Sequence, residues 1–322
     1  MSTPRFDVLA AGLVDRSTFA DDVGYYLSLT PRQLPSRYLY DTLGSALFDA
    51  ICHLPWYRVA RTERHLLGVH APEILGHGFT TLVELGPGNG EKLATLIDGS
   101  HADGPLTAHL VDISRAALET AARTLDGRPM LTVVPHCTTY EQGLSDVRRE
   151  VRAGGRTLAL LLGSNIGNFD PPGSAEFLQK IRATLAAGDS LLLGADLVKP
   201  EQELLVAYDD PLGVTAAFNR NLLVRVNREL GADFDLALFA HRAVWNAGAS
   251  RVEMHLVSGA RQRVQVPAAH FDLVLEAGET IWTESSYKYK PDTVVEMLGR
   301  AGFRSAGQWT NDGFCLTLAE AI

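Results

Sequence analysis

Glu84 stands at the end of an apolar run, residues 81–85, two positions ahead of a turn carrying Gly86, Gly88 and Gly90. A helical pattern with Leu93, Leu96 and Ile97 on one side follows. Strand, glycine turn and helix in that order open a nucleotide-binding α/β unit, because glycine lets the backbone turn sharply and approach a ligand that a Cβ would repel. The spacing is not the G-x-G-x-x-G of a dinucleotide site. Lys92 falls in the first turn of that helix, where a cation opposes the helix dipole; it either meets a carboxylate ligand or is solvated. Asp112 ends the next apolar run, 106–111, and there either accepts hydrogen bonds from ribose hydroxyls or caps the helix starting near Ser114. Asn168 lies in a polar, glycine-rich loop directly after six apolar residues, 157–162. It offers donor and acceptors at one point for a substrate, or tolerates the backbone of a turn. Tyr208, Asp209, Asn219 and Asn221 flank an apolar run in AYDDPLGVTAAFNRNLL and suggest a helix end facing a cleft. Glu284 and Ser286 are two residues apart in IWTESSYKYKP. On an extended chain they project from one face, and an acid beside a hydroxyl can hold a ring that donates from one nitrogen and accepts at the other. An imidazole fits that description.

These residues need elements to hold them. Apolar runs at 81–85, 106–111, 131–134, 157–162 and 190–194 read as strands, with helical patterns at 115–125 and 175–185 between them. Apolar strands alternating with helices predict a parallel sheet covered on both faces. Residues 197–286 break this rhythm, with helices at 201–208 and 212–230 and then alternating segments joined near Asn246. Ahead of the sheet, a helix is expected after Thr18. A second follows from Thr42, with Leu43, Leu47 and Ile51 inward, and a third starts near Ala60. The chain ends in a helix, 291–302, and two strands about Asn311, Asp312 and Gly313, a hairpin signal.

Composition narrows the class. At 322 residues the chain has room for an α/β core and a second unit of about 100 residues. Lys plus Arg number 29 against 38 Asp plus Glu, net −9, with no basic stripe, so neither nucleic acid nor a membrane surface is an expected partner. No apolar run reaches spanning length, and the acidic N-terminus with Asp7 and Asp15 has no signal pattern, so a cytoplasmic protein is expected. Cys52, Cys137 and Cys315 are far apart and read as buried thiols. No His, Cys or Asp group has metal-ligand spacing, so no metal is expected.

The E-x-G-x-G turn resembles the first motif of S-adenosylmethionine-dependent methyltransferases. Over nearly its whole length the chain resembles the histidine-specific Nα-methyltransferases that form hercynine, the first step of ergothioneine biosynthesis. The resemblance is carried by YDTLGSALFDAICHLP, RTE, VELGPGNGEK, LLGSNIGNF, LLLGADLVK, AYDDPLGVTAAFNRN, RVEMHL and TESSYKY. It implies an α/β class I, Rossmann-like methyltransferase sheet with an inserted second α+β substrate-recognition domain. The methyltransferase domain would take residues 60–196 and 287–322, the substrate domain 18–59 and 197–286. S-adenosyl-L-methionine is the implied methyl donor, held by Gly86, Lys92, Asp112, Thr139 and Tyr140, with L-histidine as the small-molecule substrate. Tyr57 would lie near the substrate amine, Asn168 and Tyr208 at its carboxylate, and Glu284, Ser285 and Ser286 at its imidazole; Tyr40, Thr215 and Met254 also fall on pocket positions. Thr139 stands where the family has an acid, and Arg58 adds a cation beside Tyr57. The general base and the oligomeric state stay open. Two alternatives remain: the same reaction on another amino acid or aromatic amine, and a non-catalytic S-adenosylmethionine-binding protein.

Overall fold

The computed structural model describes residues 16–100, 104–150 and 155–322, so Asp7 and Asp15 lie outside the described residues. The chain divides into two compact units, one of Val59–Val198 with Tyr289–Ile322, the other of residues 16–58 with Lys199–Lys288.

The first unit carries a seven-stranded sheet. Its order is Phe303–Asn311, Phe314–Ala321, Ser190–Asp196, Arg156–Leu161, Phe79–Leu85, Leu106–Asp112 and Leu131–Cys137. The last five of these pair in parallel, while Phe314–Ala321 runs antiparallel to both its neighbours. This is the class I methyltransferase arrangement expected from the sequence. Ser190–Asp196 is buried at every position, and Arg156–Leu161 at all but its first, which is why both read as unbroken apolar runs. Leu131–Cys137 is half exposed and contains Pro135, which only an edge strand tolerates. The terminal hairpin turns at Asp312 and Gly313, with φ of 42° and 72°, as a two-residue turn between twisted strands requires.

Helices alternate with these strands. Ser114 caps Arg115–Leu125 by accepting from the Ala117 amide, and Asp170 caps Pro171–Thr184 through the Gly173 amide. The helix Tyr140–Glu150 has no apolar stripe long enough to announce it, burying only Gly143, Leu144 and Val147. Gly143 permits its docking, since a Cβ there would lie 2.3 Å from Val111 Cγ1. The chain leaves this unit at Val198 and re-enters at Tyr289. There the Val198 amide donates to the Tyr289 carbonyl at 2.9 Å, and the Tyr289 amide to the Asp196 carbonyl at 3.0 Å.

The second unit holds a four-stranded sheet in the order Arg32–Gln33, Thr280–Tyr287, Arg251–Ser258 and Phe239–Asn246, with a separate hairpin, Gln262–Val266 and Phe271–Leu275. Helix Val214–Leu230 buries Phe218, Leu222, Leu223 and Val226 and packs against both the sheet and helix Thr42–His53. The expected inner stripe of the latter helix shifts. Leu43 is exposed, and Gly44 faces inward because a Cβ would meet the Leu39 carbonyl at 1.7 Å. Asn219 and Asn221 are buried, each bonded through its amide nitrogen while its Oδ1 has no hydrogen-bond partner among the described residues. The Asn219 amide nitrogen lies 2.9 Å from His241 Nδ1, and Asn221 donates to Asp41, the cap of Thr42–His53, at 2.7 Å.

Among the described residues no helix is long and apolar enough to cross a membrane. None of the three cysteines forms a disulfide, and only Cys315 is buried; Cys52 is half-buried and Cys137 lies exposed on the edge strand, a correction to the expectation that all three are interior.

Candidate functional site

In the first unit, the parallel strands converge on the glycine turn at the carboxyl end of Phe79–Leu85. Gly86, Gly88 and Gly90 all have positive φ, 75°, 57° and 79°. A Cβ on Gly86 would lie 2.5 Å from the Tyr140 hydroxyl, whereas one on Gly88 would meet open space. The turn therefore presents bare backbone on one side and is closed by Tyr140 on the other. Tyr140 comes from the start of its helix, with its ring 6.0 Å from Phe177, which in turn stacks on Phe169 at 4.8 Å. Thr139 precedes it and accepts from the Gln142 amide at 3.3 Å, so the residue in the family's acid position serves as a helix cap.

Four titratable groups gather behind the turn. Glu84 is 1% exposed, and its Oε2 is buried with no hydrogen bond. Burial pushes its carboxyl up to about 8; Lys92 pulls against that shift, and Glu63 and Asp112 add to it. Asp112 accepts from the Ser114 amide at 2.8 Å, and burial holds its carboxyl above the usual range. Lys92 reaches Glu63, on helix Val59–Leu75, at 2.7 Å. The carboxylate inferred for Lys92 thus includes one from the protein itself. Glu63 is fully buried, also accepts from the Gly163 amide at 2.8 Å, and sits where only a glycine, Gly194, leaves room: a Cβ there would approach Oε1 to 2.1 Å.

After Arg156–Leu161, Gly163 and Ser164 both adopt positive φ, 77° and 59°. The Ser164 hydroxyl accepts from the Asp196 amide at 2.9 Å, and a short 3-10 turn, Asn165–Asn168, follows. Asn168 closes that turn half-buried. Sequence spacing offered no metal ligands, yet folding gathers His109, His136 and Glu150, their ligand atoms within 4.8 Å of one another. His109 Nδ1 and His136 Nε2 lie 2.8 Å apart, hydrogen-bonded to each other.

In the second unit, the strand Thr280–Tyr287 is buried along nearly its full length. Glu284 pairs opposite Met254 and Ser286 opposite Val252, so both side chains share one face as expected, while Ser285 pairs opposite Glu253 and faces the other way. Burial pushes the Glu284 carboxyl up to about 7, partly offset by Lys288. Ser286 Oγ lies 2.8 Å from the hydroxyl of Tyr208, which ends helix Glu201–Tyr208. Tyr57 is buried, its ring 6.0 Å from Tyr208 and 6.2 Å from Phe48, both edge-on. Arg58, beside it, is ion-paired with Glu203. Sequence reasoning missed Lys288, which donates to both Tyr208 and Ser286; its place two residues after Ser286 on an extended chain is the signal that would have found it.

The chemistry assembled is of two kinds. One unit offers a backbone cradle, an orphan polar atom and a carboxylate at a strand end. The other offers an acid and hydroxyls aligned on one strand face beside buried aromatic rings.

Residues 19–321 match the family profile described as histidine-specific methyltransferase, SAM-dependent. The histidine N-alpha-methyltransferase of Mycolicibacterium smegmatis is 42% identical over 304 residues, covering 92% of this chain and 93% of that protein. That of Mycobacterium tuberculosis is 41% identical over 303 residues, with the same coverages of 92% and 93%. The ergothioneine biosynthesis protein 1 of Schizosaccharomyces pombe is 27% identical, covering 88% of this chain and 38% of that longer protein.

Proposed function

The chain belongs to the histidine-specific, S-adenosylmethionine-dependent methyltransferases, and we propose that it methylates the α-amine of L-histidine to the trimethylated product, hercynine, opening ergothioneine biosynthesis. The observation that carries the substrate is the strand Thr280–Tyr287, whose buried Glu284 and Ser286 share one face and suit the two nitrogens of an imidazole.

The residues fit the methyl donor. The glycine turn is a cradle that side chains would fill, and Glu84 Oε2 is a buried acceptor awaiting a donor. We assign Gly86, Lys92, Asp112, Thr139 and Tyr140 to holding it: Gly86 by backbone approach, Asp112 at ribose hydroxyls, Tyr140 at the adenine, Thr139 by capping the helix that carries Tyr140, and Lys92 through its ion pair with Glu63. When bound, S-adenosylmethionine supplies an electrophilic methyl group on a sulfonium.

The protein's own part is to place a neutral amine and exclude water, which is where most of the acceleration in such a displacement lies. We assign Glu284 and Ser286 to the imidazole, Tyr208 and Asn168 to the carboxylate, and Tyr57 to the amine. Ser285, with its side chain on the opposite face, serves through its backbone. The rings of Tyr57, Phe48 and Tyr208 suit an amine that becomes a permanent cation on its third methylation.

The test is a mass-spectrometric screen of free amino acids and aromatic amines with S-adenosylmethionine. Histidine gaining one, two and three methyl groups is the expected result; gains on another amine with none on histidine would reassign the substrate.

A further inference from the structure

His109 lies in the apolar strand Leu106–Asp112 and is 4% exposed. In the parallel register it stands opposite Val134, and His136 stands opposite Val111. His109 and Val111 are two residues apart, as are Val134 and His136, so all four side chains share one face of the sheet. Helix Tyr140–Glu150 covers that face, its Gly143 seated against Val111. Glu150 lies seven residues further on, about two turns, and so returns to the same side of the helix. There its Oε2 comes to 3.9 Å from His109 Nδ1.

An imidazole buried between helix and sheet costs free energy unless its nitrogens are used. Here the two rings use each other: His109 Nδ1 and His136 Nε2 lie 2.8 Å apart, with ring centroids at 5.1 Å. One proton sits between the two nitrogens, so one ring already presents a lone pair to the other. Arg148 and Arg149, just ahead of Glu150, are turned to the Ala183 carbonyl and to Asp146.

We infer that His109, His136 and Glu150 form a binding site for a divalent transition metal of the zinc type, which clamps helix Tyr140–Glu150 to the two outer strands of the sheet. Two imidazoles and a carboxylate are a donor set for zinc and its neighbours, whereas calcium and magnesium take oxygen ligands. Two nitrogens bound tetrahedrally at about 2.0–2.1 Å from zinc lie about 3.3 Å apart. The 2.8 Å between the ring nitrogens and the 3.9 Å from His109 to Glu150 bracket that spacing, and all three ligand atoms lie within 4.8 Å of one another. Shifts of about half an ångström therefore admit the ion. The shared proton passes to the outer nitrogen of its own ring, so both imidazoles bind in the neutral form. The Glu150 side chain is 54% exposed, which opens an entry path and leaves a fourth position for water. Among the described residues this is the one group of three such side chains close enough to chelate.

The ion is structural and takes no part in methyl transfer. It ties the strand that ends in Asp112 to the helix that begins with Tyr140, the residue closing the glycine turn.

The experiment titrates untagged, chelator-treated full-length protein with zinc chloride by calorimetry, with magnesium chloride in parallel. One zinc per chain and no magnesium uptake are expected, and saturating zinc should raise the melting temperature by several degrees. Cobalt chloride should give the visible absorption of a tetrahedral nitrogen and oxygen site. His136→Gln and Glu150→Gln each remove a ligand and should weaken zinc binding at least about tenfold, the least that loss of an outer partner costs a metal site. Their S-adenosylhomocysteine affinity is the control for an intact fold. Should His136→Gln fail to fold, Glu150→Gln decides alone, since its side chain is exposed. A wild type that takes up no zinc overturns the inference. So does zinc binding that is equally tight in the variants, which would place the ion elsewhere on the surface.

Discussion

The ammonium of Lys92 stands 2.7 Å from Oε2 of Glu63, a carboxylate whose side chain is wholly buried. The pair joins the first turn of Glu91–Ser100 to the helix Val59–Leu75, and the Gly163 amide, donating to the same carboxylate, adds the loop that leads to Asn168. A cation that disfavours its own helix terminus is thereby held by a neighbour.

Removing one partner strands a buried charge. Lys92→Met is expected to cost about 3–5 kcal/mol of stability, and Glu63→Gln/Lys92→Met less than the sum of the two single changes. Urea unfolding midpoints of the three variants check this; strict additivity would show that the two groups do not act as a pair.

Gly86 and Gly88 both hold left-handed backbone, but only one meets a neighbour. Gly88→Ala carries the backbone cost alone, about 1–2 kcal/mol, while Gly86→Ala adds a clash with the Tyr140 hydroxyl at 2.5 Å. S-adenosylhomocysteine calorimetry should show Gly86→Ala binding more weakly, with part of the loss restored in Gly86→Ala/Tyr140→Phe. Equal losses at the two glycines would mean that Tyr140 does not close the turn.

Glu84 ties stability to pH. Its carboxyl titrates near 8 in the folded protein against an ordinary 4.5, so folding favours the protonated form. The stability it contributes is full below about 4.5 and falls as pH rises towards 8, by up to about 1.4 kcal/mol per pH unit. Glu84→Gln is expected to abolish that slope in the ligand-free protein. The cationic methyl donor favours the ionised form, so its binding near pH 7 should release a proton from the wild type and not from Glu84→Gln. Calorimetry in buffers of different ionisation enthalpy measures that release directly.

The strands of the sheet were legible because a buried parallel strand must be apolar on both faces, as 157–162 and 190–194 are. The glycine turn, Asp112 and the Glu284–Ser286 pair were legible for a related reason: each depends on neighbours in the chain. Contacts between distant segments were not. Glu63 finds Lys92 and Gly163 only through the packing of helix on sheet, and His109 finds His136 only through the register of two parallel strands. Asn219 and Asn221 read as cleft residues because they are polar groups flanking an apolar run; their bonds to His241 and Asp41 depend on segments distant in the chain and were not legible. The helix Tyr140–Glu150 escaped notice because its docking rests on the absence of a side chain at Gly143, and absence has no periodicity.

Val198 and Tyr289, where the chain leaves and rejoins the sheet-bearing unit, are hydrogen-bonded neighbours. A detour that begins and ends at adjacent residues enters and leaves without parting the strands of the sheet. Such a junction behaves as a clasp: the strand Ser190–Asp196 and the returning chain at Tyr289 are tied backbone to backbone across a break of ninety residues in the sequence.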